Sequence, residues 1–196
     1  MDDNYSHNYE RSIFNNTVDN LKFVSSITHL IFGYKFNQPI DNLKHGITYL
    51  QFGHCFNHPV SHLPSSITHL IFGTRFNHPV NTLPSSIIHL TFGNWFNHLV
   101  NTLPSSITHL TFGISFNHLL GNSLNNLSTL THLTFGHYYN QFLGYSLKNL
   151  SSLTHLSFGN YYNKELGDSL NNLTSLTHLT FGCYFNNPLS NSLNNL

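Results

Sequence analysis

One phrase governs this chain. THLIFGTRFNHPVNTLPSSI, residues 68–87, recurs with light edits across nearly the whole sequence. Measured from each T-H-L, the copies begin at Thr28, Thr48, Thr68, Ile88, Thr108, Thr131, Thr154 and Thr177. Four steps of 20 residues are therefore followed by three of 23. Four columns stay fixed. Leu recurs from Leu30 to Leu179, Phe two residues later from Phe32 to Phe181, Gly next from Gly33 to Gly182, and Asn four residues on from Asn37 to Asn186. An aromatic always precedes that Asn.

Residues two apart on a strand point to the same side. Leu and Phe therefore face one way, and the residues between and before them, such as Ile71 and His69, face the other. One copy is too short to bury its own Leu and Phe, whereas stacked copies bury each column against itself. A period in this range predicts a β-rich solenoid of leucine-rich-repeat type: a right-handed coil with one parallel sheet. Eight strands at about 4.8 Å spacing give a sheet roughly 34 Å across. The Gly suits a sharp exit from the strand at positive φ. The Asn reads as a structural ladder between turns.

The chain divides into a polar tail, 1–13, and a solenoid, 14–196, with strands starting near 28, 48, 68, 88, 108, 131, 154 and 177. Residues 14–27 are a half-repeat expected to cap the first strand. Pro64, Pro84 and Pro104 make the first returns extended or turn-like. After Gly121 the returns read LGNSLNNLSTL; Leu124, Leu127 and Leu130, three apart, predict short 3₁₀ or single-turn helical returns. Wider returns imply more curvature in that half. The last coil is expected to show an open C-terminal edge that invites weak self-association.

Composition narrows the function. Charged residues are 7% and the net charge is zero. Arg75 is the one charged residue between His45 and Leu147. Nucleic acid needs a basic face to release counterions, so no nucleic-acid partner is expected. No apolar run is long enough for a membrane span, and the start, MDDNYSHNYERS, is not a signal peptide. Two cysteines, Cys55 and Cys183, fit a reducing compartment, so a cytoplasmic location is expected.

Sixteen histidines invite chemistry. Most sit in two columns, one before the core Leu (His29, His69, His89, His109, His132, His155, His178) and one after the Asn (His58, His78, His98, His118). Neighbouring imidazoles could share an ion, which makes a His-ladder metal binder the third reading. Carboxylates and paired cysteines are scarce, however, and a repeat copies any residue. No metal site, cofactor or catalytic residue is read from the sequence, and the chain is expected not to be an enzyme.

The copies differ most in the two residues after Gly, such as Thr74–Arg75, Asn94–Trp95, His137–Tyr138 and Asn160–Tyr161. A constant frame with one variable rim suits partner recognition. Arg75, Trp95, Tyr138 and Tyr161 are residue types that dominate interfaces. Next to them lies the outward strand face, with His69, His89, His109, Thr91 and Thr111. Together these are the candidate binding residues for a protein or peptide partner.

The F-N-x-P-[IV] phrase, as in Phe36-Asn37-Gln38-Pro39-Ile40 and Phe76-Asn77-His78-Pro79-Val80, with L-P-S-S-I-T-H-L before it, resembles the FNIP repeat over residues 14–196. FNIP repeats are a leucine-rich-repeat variant found chiefly in social amoebae and in giant viruses that infect amoebae. The resemblance implies a solenoid and a protein-interaction scaffold, in the host cytoplasm if the source is viral. Some relatives carry an F-box before the repeats, which implies substrate adaptors of ubiquitin ligases. Only 13 residues precede the repeats here, so the second reading is a substrate-recognition subunit working with a separately encoded ligase component. From residue 108 the pattern shifts: Leu119, Phe142 and Glu165 replace Pro, and Tyr139 and Tyr162 replace Phe.

Overall fold

The computed structural model describes residues 27–189 and 192–193. The 1–13 tail and all but the last residue of the 14–27 cap lie outside the described residues.

Each repeat contributes one three-residue strand: β1 (His29–Ile31), β2 (Tyr49–Gln51), β3 (His69–Ile71), β4 (His89–Thr91), β5 (His109–Thr111), β6 (His132–Thr134), β7 (His155–Ser157) and β8 (His178–Thr180). They form one parallel sheet in sequence order. Register is exact in the repeat: His69 pairs with His89, Leu70 with Leu90, Ile71 with Thr91. Strands so short hold because every coil adds further bonds at its flanks. The Thr68 and His69 amides both donate to the Thr48 carbonyl, and the Arg75 amide donates to the His54 carbonyl.

The inward Leu and Phe columns form the core with the second aromatic column and the return aliphatics. Leu50, Leu70, Phe56, Phe76 and Ile67 are fully buried. Phe72 and Phe76 stack within a coil at 3.8 Å, and each column stacks on itself between coils. A buried Phe or Leu contributes about 1.5–3 kcal/mol, and this gain recurs in every coil.

Spacing between corresponding rings depends on depth. It is 4.0–4.3 Å between the outward imidazoles from His69 to His178. It widens to 5.4–5.8 Å in the Phe32-to-Phe181 column and to 6.0–6.2 Å in the Phe36-to-Phe185 column. Pure translation would give one spacing everywhere. From His69 to His178 the coils therefore fan as wedges, with the histidine face on the narrow side; at the two earlier junctions, where Tyr49 stands in the column, the outward spacing is 5.4 and 6.0 Å. Spacing within the two aromatic columns shows no step at Gly121, where the longer returns predict more curvature.

The early returns turn at proline, with the Ile67 amide donating to the Pro64 carbonyl at 3.2 Å. The later returns carry the expected i to i+3 bonds, Leu127 amide to Leu124 carbonyl and Leu130 amide to Leu127 carbonyl. These are separate turns, not a continuous helix, and no helix forms among the described residues. Gly121, Gly144 and Gly167, at φ 50–52°, open these returns.

The strand-exit glycines have a different cause from the one the sequence suggests. Positive φ is found at Gly46 and at the return glycines, not in the Gly33-to-Gly182 column. A Cβ on Gly73 or Gly93 would overlap the carbonyl of the column glycine one coil earlier. Close backbone approach, not left-handed geometry, selects glycine there.

Candidate functional site

Two ladders fix the frame around the variable positions. The first is the Asn column. The Asn57 amide donates to Asn37 Oδ1 at 2.9 Å, and the same bond recurs at Asn77, Asn97, Asn117, Asn140, Asn163 and Asn186 at 2.8–3.1 Å. Beside it, Nε2 of His58, His78, His98 and His118 donates to the preceding Asn carbonyl at 3.0–3.2 Å. Gln141 takes this role in the next coil. This second histidine column is a structural strut.

The outward histidine column is built otherwise. The hydroxyls of Thr68, Thr108, Thr131, Thr154 and Thr177 donate to the carbonyl one coil back at 3.0–3.4 Å. The same oxygens lie 2.8–2.9 Å from Nδ1 of the next residue, His69, His109, His132, His155 and His178. Each of these Nδ1 atoms is thereby occupied by a threonine hydroxyl. The exception is His89. Ile88 stands where the others have Thr, and His89 Nδ1 is buried without a partner.

Stacking these rings penalises their charged forms. Burial first, then its imidazole neighbours, lower His109 to about 4. The same causes, in the same order, lower His89 and His155. Among the described residues no group of three or more His, Cys, Asp or Glu could hold a metal.

The structure brings the candidate residues into separate groups. His69, His89 and His109 stack in series at 4.3 and 4.2 Å. Thr91 and Thr111 are register partners two positions along. On the rim, the Arg75 guanidinium lies 5.5 Å from the Trp95 ring centre, and Trp95 is 54% exposed. Tyr138 and Tyr161 sit 5.3 Å apart. One coil, with Ile114 and Ser115, separates the two aromatic groups. The rim also gathers two residues of the variable pairs that were not among the candidate binding residues. His137 contacts both tyrosines edge-on at 5.0 Å, and Tyr184 stacks on Tyr161 at 4.9 Å. The Tyr184 charge, ahead of burial, raises Tyr161, which keeps its hydroxyl neutral.

A second missed feature is a ledge just past the Asn ladder. Leu99, Leu119 and Phe142 are exposed on three consecutive coils, with Lys164 Nζ 5.0 Å from the Phe142 ring centre. Their departure from Pro was the visible signal.

Fold and site together define a leucine-rich-repeat-like β-solenoid with a constant hydrogen-bonded frame and one variable aromatic rim. The family model of the FNIP repeat matches residues 14–55, 43–74, 56–95 and 76–115, a continuous span over more than half the chain. The chain belongs to the FNIP repeat family. The matched span ends at 115, before the Tyr139, Phe142, Tyr162 and Glu165 departures, while the fold continues through β8. Among solved structures the chain is similar to CroV588 of a giant virus, whose crystal structure is described as a novel circular LRR protein structure. The two share 38% identity at a TM-score of 0.74, over 89% of this chain and 30% of that one. The chain thus spans less than a third of that protein's length. No curated protein matches the chain. No helix among the described residues is long and apolar enough to cross a membrane.

Proposed function

We propose that this protein is a non-enzymatic cytoplasmic scaffold that binds a protein or peptide partner through the variable rim. The observation that carries this reading is the Arg75–Trp95 pair, a guanidinium set over an indole that is 54% exposed. Such a pair holds its own geometry before a partner arrives, which lowers the ordering cost of binding. Trp, Tyr and Arg anchors surrounded by neutral contacts are the usual source of interface energy. Tyr138, Tyr161 and Tyr184 extend the rim on later coils, and the backbone beneath is locked coil to coil.

The test is affinity capture from cytosol with the intact chain and with Arg75→Ala/Trp95→Ala, partners being identified by mass spectrometry. A partner retained by the native chain and lost by the variant supports the rim. A partner held equally by both, with unchanged circular dichroism, overturns it. Ligase subunits among the lost partners would specify a substrate-recognition role.

A further inference from the structure

The outward imidazole column has a property the rim does not use. From His69 to His178 six rings stack in one line at 4.0–4.3 Å. Each Nδ1 except that of His89 is occupied by a threonine hydroxyl. Protonation turns this neutral line into a line of positive charge.

Among the described residues nothing nearby neutralises it. The flanking outward positions, Ile71, Thr91, Thr111, Thr134, Ser157 and Thr180, do not ionise. The rim beside them carries the basic residues Lys35, Arg75, His54 and His137, the phenols Tyr34, Tyr138, Tyr161 and Tyr184 and the thiols Cys55 and Cys183, but no carboxylate. Lys44 and His45 precede β2. The described carboxylates are Asp41, Glu165 and Asp168, and all three follow the Asn ladder, away from the strands. Asp41 is already 3.4 Å from His62.

A column of cations without counterions among the described residues favours an external, multivalent one. We infer that the histidine column is a proton-gated binding strip for a linear phosphate polyanion, empty at neutral pH and occupied in acid. The one-dimensional spacing suits a flexible chain of phosphates better than a compact anion, because successive charges meet successive rings. Binding and protonation are reciprocal: the polyanion holds protons on the rings, and protons hold the polyanion. The strip is separate from the rim, so loss of a rim partner leaves this inference standing.

The test is fluorescence anisotropy of end-labelled long-chain inorganic polyphosphate and of a labelled single-stranded DNA, at pH 5.5 and 7.5, with circular dichroism at each pH. Expected is binding at least about tenfold tighter at pH 5.5, weakening steeply with salt. His109→Tyr/His132→Tyr should lose the acid gain while keeping the stack, since Tyr49 already occupies this column beside His29 at 5.4 Å. His98→Gln, which imitates Gln141, should keep the gain. Tight binding of one probe alone names the source of the phosphates. Equal affinity at both pH values overturns the inference, as does an acid gain that survives the tyrosine pair. If the chain loses structure at pH 5.5 and polyphosphate does not restore it, the inference also fails, because a ligand of the folded state must stabilise it.

Discussion

Tyr139 and Tyr162 are polar misfits in the apolar core. Both rings are fully buried in the second aromatic column, and neither hydroxyl has a partner. Burial holds both phenols well above their ordinary range, with the Tyr162 charge a smaller cause for Tyr139. An unsatisfied buried hydroxyl costs about 1–3 kcal/mol. Phe occupies the same column at Phe116 and Phe185, so the site already accepts the smaller ring. Tyr139→Phe should therefore stabilise the chain by about 1–3 kcal/mol, read from the urea midpoint. A midpoint that stays put or falls would show that the hydroxyl is satisfied. Ile88 marks a second misfit. Ile88→Thr should give His89 Nδ1 the partner its column mates have, favouring the protonated ring. The His89 titration midpoint, followed by proton NMR, should then rise; an unchanged midpoint would refute the role given to threonine.

At the scale of the element, the coil-to-coil junction depends on the strand-exit glycine. A Cβ at Gly93 meets backbone, the Gly73 carbonyl, and backbone cannot swing aside as a side chain can. Gly93→Ala should destabilise by more than the roughly 1 kcal/mol that glycine-to-alanine changes usually move. Gly121→Ala supplies the comparison: its Cβ enters open space, and only its φ of +51° opposes it. Equal losses at both sites would sink the close-approach argument. The same junction shows what sequence could and could not convey. The Leu, Phe and Asn columns were legible because burial and laddering impose a residue type at a fixed period. The glycine column was equally visible, yet its cause was misread, since the clash lies between residues a full coil apart. The Arg75–Trp95 contact was legible as two interface residue types on adjacent coils. The ring contacts of His137 and Tyr184 were not, because a contact between surface rings of neighbouring coils leaves no periodic trace. The separate turns of the later returns were half visible: a three-residue Leu spacing specifies i to i+3 bonds but not whether they run on into a helix.

At the scale of the molecule, stacking makes the histidine column a single titrating object, and its sign follows from the shifts. His89, His109 and His155 all lie below the ordinary histidine value, His109 at about 4, through burial and then neighbouring imidazoles. The unfolded chain has neither cause and titrates near 6.5. Between these values the unfolded state binds more protons than the folded one, so stability rises with pH across that window. The stabilising contribution is complete above about 6.5 and is lost as pH falls toward the folded values. The thermal midpoint should therefore be lower at pH 5 than at pH 7.5 in the absence of polyanion. His109→Tyr should flatten the dependence, because it removes the most strongly shifted ring and relieves the charge on both neighbours. A midpoint independent of pH between 5 and 7.5 would mean the rings charge as freely folded as unfolded. That result would contradict the penalty that the 4.0–4.3 Å stack places on the charged rings.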